Sequence, residues 1–485
     1  TNGNVTLTAK ATDTASGISY YQWSTNSGLT ASSGGWKSIT NTKSQITQTY
    51  TATGNGTYYF YAKDASGNVG KTSISISNID KTAPEISEFT AKASDTISTS
   101  ATITVKAKDG LSGLSNLVLE WGTNTNYGNK KIETYIINGI GAKDLTTKTI
   151  SLTGLGANTT YYVKITISDV SGNIKTTTSS FTTGKAIAET NTVLYTSIQN
   201  ALNSINQGTV KVLSNTTENP HIDTGKTITL DLNSKTITGV LKNWGTTTVY
   251  GGNITENSES VGHAIENYNG KLTVKNGTYT GYYEGIYQCK EDGMTGTGET
   301  TIEGGYYYGN GPYGVGVAIT QGSCLIKNGY FKGTGVGVAG WDYSPTITVQ
   351  NGQFYGELDG IFANSGTLHI YGGYFEGLGK NKAYGCSTEG NTKLIEITGG
   401  TFKAYNTGLS IMNITNTKIT GGSFSGKIWD GATFNGGNAE ITGGTFYGGN
   451  YGIASYEGAK VRVKNGVTIN GGNKAVYGDN ITYYN

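Results

Sequence analysis

From about Thr246 to Gly472 the apolar positions recur on one plan: a β-branched residue, one variable residue, a Gly-Gly or Asn-Gly pair and, two residues on, an aromatic. The second glycine of each pair marks the repeat: Gly252, Gly277, Gly305, Gly329, Gly352, Gly373, Gly400, Gly422, Gly444 and Gly466. The shortest interval is 21 residues (Gly352 to Gly373) and the longest 28 (Gly277 to Gly305). Three before each marker stands Val or Ile, as at Val274, Ile302, Ile370 and Val463. Two after stand Ile254, Tyr279, Tyr307, Phe331, Phe354, Phe375, Phe402, Phe424 and Phe446, with Thr468 ending the run. Apolar residues also return five before, as at Leu272, Cys324, Ile347, Leu368, Ile395 and Val461, which is the period-2 pattern of a strand with one buried face. The glycine of the pair supplies a turn with positive φ. A coil this short has room for three strands and three turns but not for a helix. The pattern therefore predicts an all-β solenoid, a parallel β-helix of about ten or more coils with like residues stacked at about 4.8 Å.

The outward positions predict charge ladders. His369, Glu396, Lys418, Glu440 and Arg462 share one register, and Lys275, Glu303 and Lys327 another. Opposite charges on neighbouring strands pair favourably, each exposed pair by under about 1 kcal/mol.

Before the solenoid the pattern changes. Residues 1–79 read as short alternating strands with turn signals between them, a β-sandwich. A linker from Asn78 to Pro84 follows, and residues 80–184 repeat the plan: Asp64-Ala65-Ser66-Gly67-Asn68 returns as Asp169-Val170-Ser171-Gly172-Asn173. Residues 185–485 form the third domain. Its first segment, Tyr195 to Gly208, is the one helical pattern, with Ile198, Ala201, Leu202 and Ile205 on one face. Thr196 or Ser197 is the expected N-cap and Gly208 the stop. This helix is expected to cap the open end of the solenoid core.

These segments carry family resemblances. The first domain resembles bacterial Ig-like modules. The second, with Leu155-Gly156-Ala157-Asn158-Thr159-Thr160-Tyr161 and a closing Phe181-Thr182-Thr183, resembles a fibronectin type III module with its tyrosine corner. The helix, the strand Val210 to Leu213, Leu230-Asp231-Leu232-Asn233 and the repeats resemble pectate-lyase-like right-handed β-helices. The combination resembles Gram-positive cell-surface adhesin-like proteins. It implies an extracellular, surface-held protein whose signal and anchor lie outside this segment.

Composition narrows the partners. The net charge of +2 gives no electrostatic reason to expect nucleic acid. No apolar run approaches a membrane span, so no membrane insertion is expected. Cys324 falls at an inward position, while Cys289 and Cys386 are expected at turns four rungs apart, too far to bridge. Three thiols, no metal site and no cofactor are expected. The Asp-x-Ser-Gly-Asn turns have the chemistry for Ca2+, but an Asx turn, with the carboxylate on its own backbone, accounts for them first.

Two sets of residues have candidate chemistry. Extra length falls at Lys290 to Glu299 and near Ser387 to Lys393, and Trp341-Asp342-Tyr343 lies at the same edge between them. Glu291, Asp292, Asp342 and Glu389 thus gather along one edge, and the first three are the catalytic candidates if the protein is an enzyme. Pectate lyases, which the fold resembles, imply aspartate-held Ca2+ and an arginine base. The one arginine here, Arg462, is expected to be paired with Glu440. Asp359 and Glu284 share a register three rungs apart, beyond the spacing of paired glycosidase carboxylates. His263 has no evident carboxylate partner, whereas His369 lies beside Glu396.

The second set is aromatic. Tyr306, Tyr330 and Tyr374 face outward one residue after the marker, with Gln353 among them, and Tyr308 and Tyr355 three after. Together with Trp341, Asp342 and Tyr343 they are the candidate ligand-binding residues, since ring faces beside amides and carboxylates suit sugars. Tyrosine is also simply a good strand residue. The expected function is that of an adhesin-like surface protein whose β-helix binds a glycan or host glycoprotein on an Ig-like stalk. The alternative is a polysaccharide lyase or glycoside hydrolase, and a phage or surface-filament fibre is a third option.

Overall fold

The inward ring of each coil sets the solenoid's cross-section. In the computed structural model, which describes residues 1–137, 139–289, 297–414 and 416–485, eight rings from Tyr279 to Phe446 stack face to face. Their centroids lie 4.5 to 5.4 Å apart. The run ends differently from expectation. Phe446 pairs with Ile469, not Thr468, because the turn after Gly466 holds one more residue. From Gly277 to Gly466 the marker glycines adopt positive φ, 146° at Gly329, where a Cβ would lie 2.8 Å from the Phe331 ring; in the first pair Gly251 does so instead of Gly252. Their carbonyls accept the first amide of the next coil's ring-bearing strand, as Gly305 O does from Tyr330 N at 2.9 Å.

These strands make a twelve-stranded parallel sheet, the outer side of which carries the tyrosines. The other two strands of each coil belong to a second sheet of 25 strands. The chain is thus all-β with a β-solenoid of about 12 turns. A second column of glycines (Gly285, Gly316, Gly337, Gly360, Gly385, Gly408, Gly431 and Gly452) lies where the two sheets meet. A Cβ on Gly337 would come within 2.5 Å of Gly360 O and 2.8 Å of Tyr355 N. The sheets touch backbone to backbone along this line, and only glycine fits.

Contacts divide the chain into two units, Thr1–Gly184 and Lys185–Asn485. The first holds two pairs of antiparallel sheets. One pair closes on Ala9, Ile18, Ile46, Phe60 and Ala62, the other on Ile103, Val105, Leu117, Leu119, Val163 and Ile165. Tyr161 is buried, and its hydroxyl accepts from Gly156 N at 2.8 Å.

Among the described residues there is one helix, Ile198–Asn203, six residues long. It is shorter than the sequence predicts because Tyr195 ends a strand and Gln207-Gly208 begin another. Ser197 caps it, accepting from Asn200 N at 3.0 Å, and the chain leaves it at Ser204 rather than Gly208. The Glu218 carboxylate accepts from Ile198 N at 3.0 Å. None of the described helices is long and apolar enough to cross a membrane.

Two further expectations need correction. Cys386 is a core residue, not a turn residue: it stacks between Ile361 and Leu409 and is fully buried. Burial pushes the Cys324 thiol up to about 12, and the Cys386 thiol is also raised, first by burial and then by the charge of Asp359. The extra length near Ser387 is not a loop. Tyr384–Ile397 runs as one strand beside Asp359–Ile370, and two register shifts absorb the added residues.

Candidate functional site

The outer side of the long sheet has two columns of side chains. One runs His263, Glu284, Val315, Val336, Asp359, Tyr384, Thr407. The other runs Glu266, Tyr287, Ala318, Ala339, Phe362, Ser387, Ser410. Residues between them, such as Ile286, Val317 and Ile361, point into the core.

A cleft of about 510 Å³ opens over this surface. Tyr313, Trp341, Phe362, Tyr384 and Met412 supply its apolar lining; Asp359, Lys382, Ser387, Glu389 and Ser410 supply its polar groups. A neighbouring hollow of about 370 Å³ shares Tyr384 and Ser410 and is lined by Trp429, Asp430 and Tyr456. The groove therefore runs along the column.

Asp359 stands apart from the other acids. It is 6% exposed, and its Oδ1 has no hydrogen-bond partner. Burial pushes its carboxyl up to about 7; a hydrogen bond with Ser387 opposes the shift, and the charge of Glu389 adds to it. Below neutral pH this carboxyl mostly keeps its proton, with Glu389 beside it. Asp430, equally buried, is raised by burial too, but its oxygens accept from Thr433 Oγ1 at 2.9 Å and Tyr451 N at 3.2 Å. Glu266 meets Lys242 Nζ at 3.3 Å and the Tyr268 hydroxyl at 2.6 Å. The bonds made by these two acids account for their burial; those of Asp359 do not account for its own.

His263, contrary to expectation, has a carboxylate partner. Its Nδ1 lies 2.6 Å from Glu284 Oε2, and its ring stacks on Tyr287 at 4.5 Å. Neither atom makes a directional hydrogen bond, so this is a close contact and not a hydrogen bond. Tyr287 is pushed up to about 12, chiefly by burial, with Cys289, Glu284 and Asp342 adding to the shift.

The predicted residues separate into two groups. Trp341 lines the cleft, with Glu389 across it. Asp342, at φ 62°, lies near Tyr287, and Tyr343 is 68% exposed. Glu291 and Asp292 lie outside the described residues. The tyrosines lie on the other sheet. Tyr306, Tyr308, Tyr330, Tyr355 and Tyr374 form one tilted ladder with centroids 5.2 to 6.0 Å apart. Gln353 accepts from the Tyr355 hydroxyl at 3.2 Å, and Glu376 from Tyr374 at 2.9 Å. A turn ridge parts the two surfaces: Thr334 and Glu357 line a hollow beside Tyr308, while Gly335 and Leu358 line the acid cleft. The tyrosines and Trp341 do not form one site.

The charge ladders form at Glu303–Lys327 (3.0 Å), His369–Glu396 (3.0 Å), Glu396–Lys418 (3.6 Å) and Glu440–Arg462 (3.8 Å). Arg462 also lies over the Tyr484 ring, and it is absent from the cleft lining. In the first unit Asp169 accepts from Asn173 N and Nδ2 at 2.8 and 2.7 Å, the predicted Asx arrangement. Asp80 of the linker, which the sequence pattern gave no reason to include, joins Asp109 and Asp169 with oxygens within 4.8 Å of one another. Asp80 is held by Thr82 N and Ser112 N, and Asp109 by Leu111 N and Gly113 N. The trio has the chemistry to hold a cation such as Ca2+, but backbone amides account for its placement.

What the sequence reading missed is Tyr313, Phe362, Lys382 and Tyr384, and the weight of Asp359. The signal was present in the likeness of Glu284-Gly285-Ile286-Tyr287 to Asp359-Gly360-Ile361-Phe362.

No protein-family model matches the chain, and no curated protein matches it in sequence. Among solved structures it is similar to a family 28 exopolygalacturonase of Yersinia enterocolitica, at 10% identity and a TM-score of 0.24, over 83% of this chain and 99% of that one. It is also similar to the pectate lyase Pel3 of Pectobacterium carotovorum, at 11% identity and a TM-score of 0.14, over 73% of this chain and 86% of that one. Likeness at these scores decides nothing about chemistry.

Proposed function

We propose that the solenoid acts on an extracellular polysaccharide, with Asp359 as the acid of a glycoside hydrolase. The observation that carries this reading is the buried Asp359 carboxyl, one oxygen of which has no hydrogen-bond partner, pushed up to about 7 in a cleft walled by Trp341, Phe362 and Tyr384. Glycoside hydrolysis needs one carboxylic acid that keeps its proton and one carboxylate that has lost it. Asp359 gives its proton to the glycosidic oxygen as the C–O bond breaks. Water adds at the anomeric carbon, and the Glu389 carboxylate takes the proton that water loses. Elimination suits the cleft less well. It needs a base and a cationic partner for a uronate, and Asp359 and Glu389 dominate the polar lining, with Lys382 alone opposing them.

The test is incubation with a panel of plant, microbial and animal polysaccharides, assayed for new reducing ends and for unsaturated ends. New reducing ends that vanish in Asp359→Asn support the reading. Because Asp359 must be protonated, activity should fall as pH rises through about 7. Unsaturated ends, or turnover indifferent to Asp359→Asn, would sink it.

A second reading has its own observation. The tyrosine ladder from Tyr306 to Tyr374, with Tyr306 53% exposed, supports glycan binding without cleavage, as in an adhesin. On that reading residues 1–79 and 80–184 serve as a stalk. Glycan retention without new ends, lost in Tyr330→Ala, would favour it over the hydrolase.

A further inference from the structure

Asp359-Gly360-Ile361-Phe362 has a counterpart in Glu284-Gly285-Ile286-Tyr287. Both tetrads read outward acid, glycine where the sheets touch, core isoleucine, outward ring. Glu284 pairs with Val315, Val315 with Val336, and Val336 with Asp359, so three rungs separate the two acids, or about 14 Å at the strand spacing. Tyr287 and Phe362 are separated by the same three rungs, through Ala318 and Ala339. The rungs between carry only Val315, Ala318, Val336 and Ala339 in these columns. They form a small buried cluster against which Tyr287, Trp341 and Phe362 pack. What reaches the surface is a strip of half-buried rings, with a buried acid at each end.

Both acids are more than nine-tenths buried; Asp359 Oδ1 has no hydrogen-bond partner, and Glu284 Oε2 has the His263 Nδ1 contact at 2.6 Å and no directional hydrogen bond. Such atoms are costly to leave unpaired and are normally matched by a donor. Asp342 and Glu389 lie beside the strip. Of the described lysines near it, Lys242 is held by Glu266, which leaves Lys382. A polyanion would be repelled here, whereas hydroxyl and ammonium groups would find acceptors.

We infer that the two acid–aromatic pairs are two subsites for one linear glycan that carries no acidic substituents, either neutral or amino-bearing, and that spans three rungs. The ring strip takes the sugar C–H faces, and the carboxyls take hydroxyl or ammonium donors. This rests on the reading of the cleft as a polysaccharide site, but it is tested by binding and not by turnover.

The experiment is calorimetric titration of the full chain with short and long oligosaccharides of one sugar at a time. The probes are β-glucan and mannan oligosaccharides (neutral), glucosamine oligosaccharides (amino-bearing) and oligogalacturonides (acidic). A long neutral or amino-bearing chain should bind more than about tenfold tighter than its disaccharide, a difference easily resolved. Glu284→Gln, which keeps shape, and Tyr287→Ala should each remove that gain. Oligogalacturonides should not bind.

Oligogalacturonides binding as tightly as the neutral chains would overturn the inference. So would a length gain that survives both variants, or no binding by any probe. Length-dependent binding with no new reducing ends would sink the hydrolase and leave this inference standing. Asp359-dependent cleavage of polygalacturonate would do the reverse.

Discussion

At Asp359 one side chain sets stability against chemistry. Its carboxyl is raised from 3.8 to about 7 in the folded protein. Between these values the folded state holds a proton that the unfolded state has lost, so stability falls as pH rises from about 4 to about 7 and is level above. The penalty at high pH is at most about 4 kcal/mol, taking about 1.4 kcal/mol per unit. Asp359→Asn removes the titration. Thermal melts should show the variant gaining on the wild type as pH goes from 5 to 8; parallel melting curves across that range would mean that Asp359 is solvated. Glycine gives a second prediction at this scale. Gly337→Ala puts a Cβ against two backbone atoms that cannot yield and should cost more than about 2 kcal/mol. Gly34→Ala, with nothing within 4 Å, is the control and should change little.

The ring ladder is the element on which the coils are threaded. Phe354 is fully buried between Phe331 at 4.8 Å and Phe375 at 4.5 Å. Truncating such a residue removes two stacked neighbours and leaves a cavity, for a loss of about 3–5 kcal/mol. Phe446 has a ring on one side and Ile469 on the other. Phe354→Ala should therefore lower the denaturant midpoint more than Phe446→Ala. Equal losses would show that burial alone, not stacking, sets the cost. The long strands Asp359–Ile370 and Tyr384–Ile397 matter for a different reason. Running straight past the corner, they hold Asp359, Phe362, Tyr384 and Ser387 on regular β structure, which positions side chains more rigidly than a loop of the same length would.

For the whole molecule, the division at Gly184 has a thermodynamic consequence. The solenoid has one continuous core from Ala188 to Val463, whereas the first unit has separate small ones. Units with separate cores need not unfold together. Calorimetry of the full chain should resolve more than one transition, and residues 185–485 alone should reproduce one of them. A single transition shared by all residues would show strong coupling across the boundary.

The sequence by itself determined the solenoid, its coil length, the inward Val and Ile positions, the stacked rings and the charge ladders. Each of these follows from a local period or from repetition at one register, and stacking turns sequence repetition into contact. Tertiary structure alone decided the rest. How fully Asp359 and Asp430 are hydrogen-bonded depends on Ser387, Thr433 and Tyr451, which the fold brings to them. Tyrosines and Trp341, equally outward in the repeat, face away from different sheets. Asp80 meets Asp109 and Asp169 across stretches of chain that no period relates. A repeat fixes which residues stack; burial and unpaired charge depend on what closes over them.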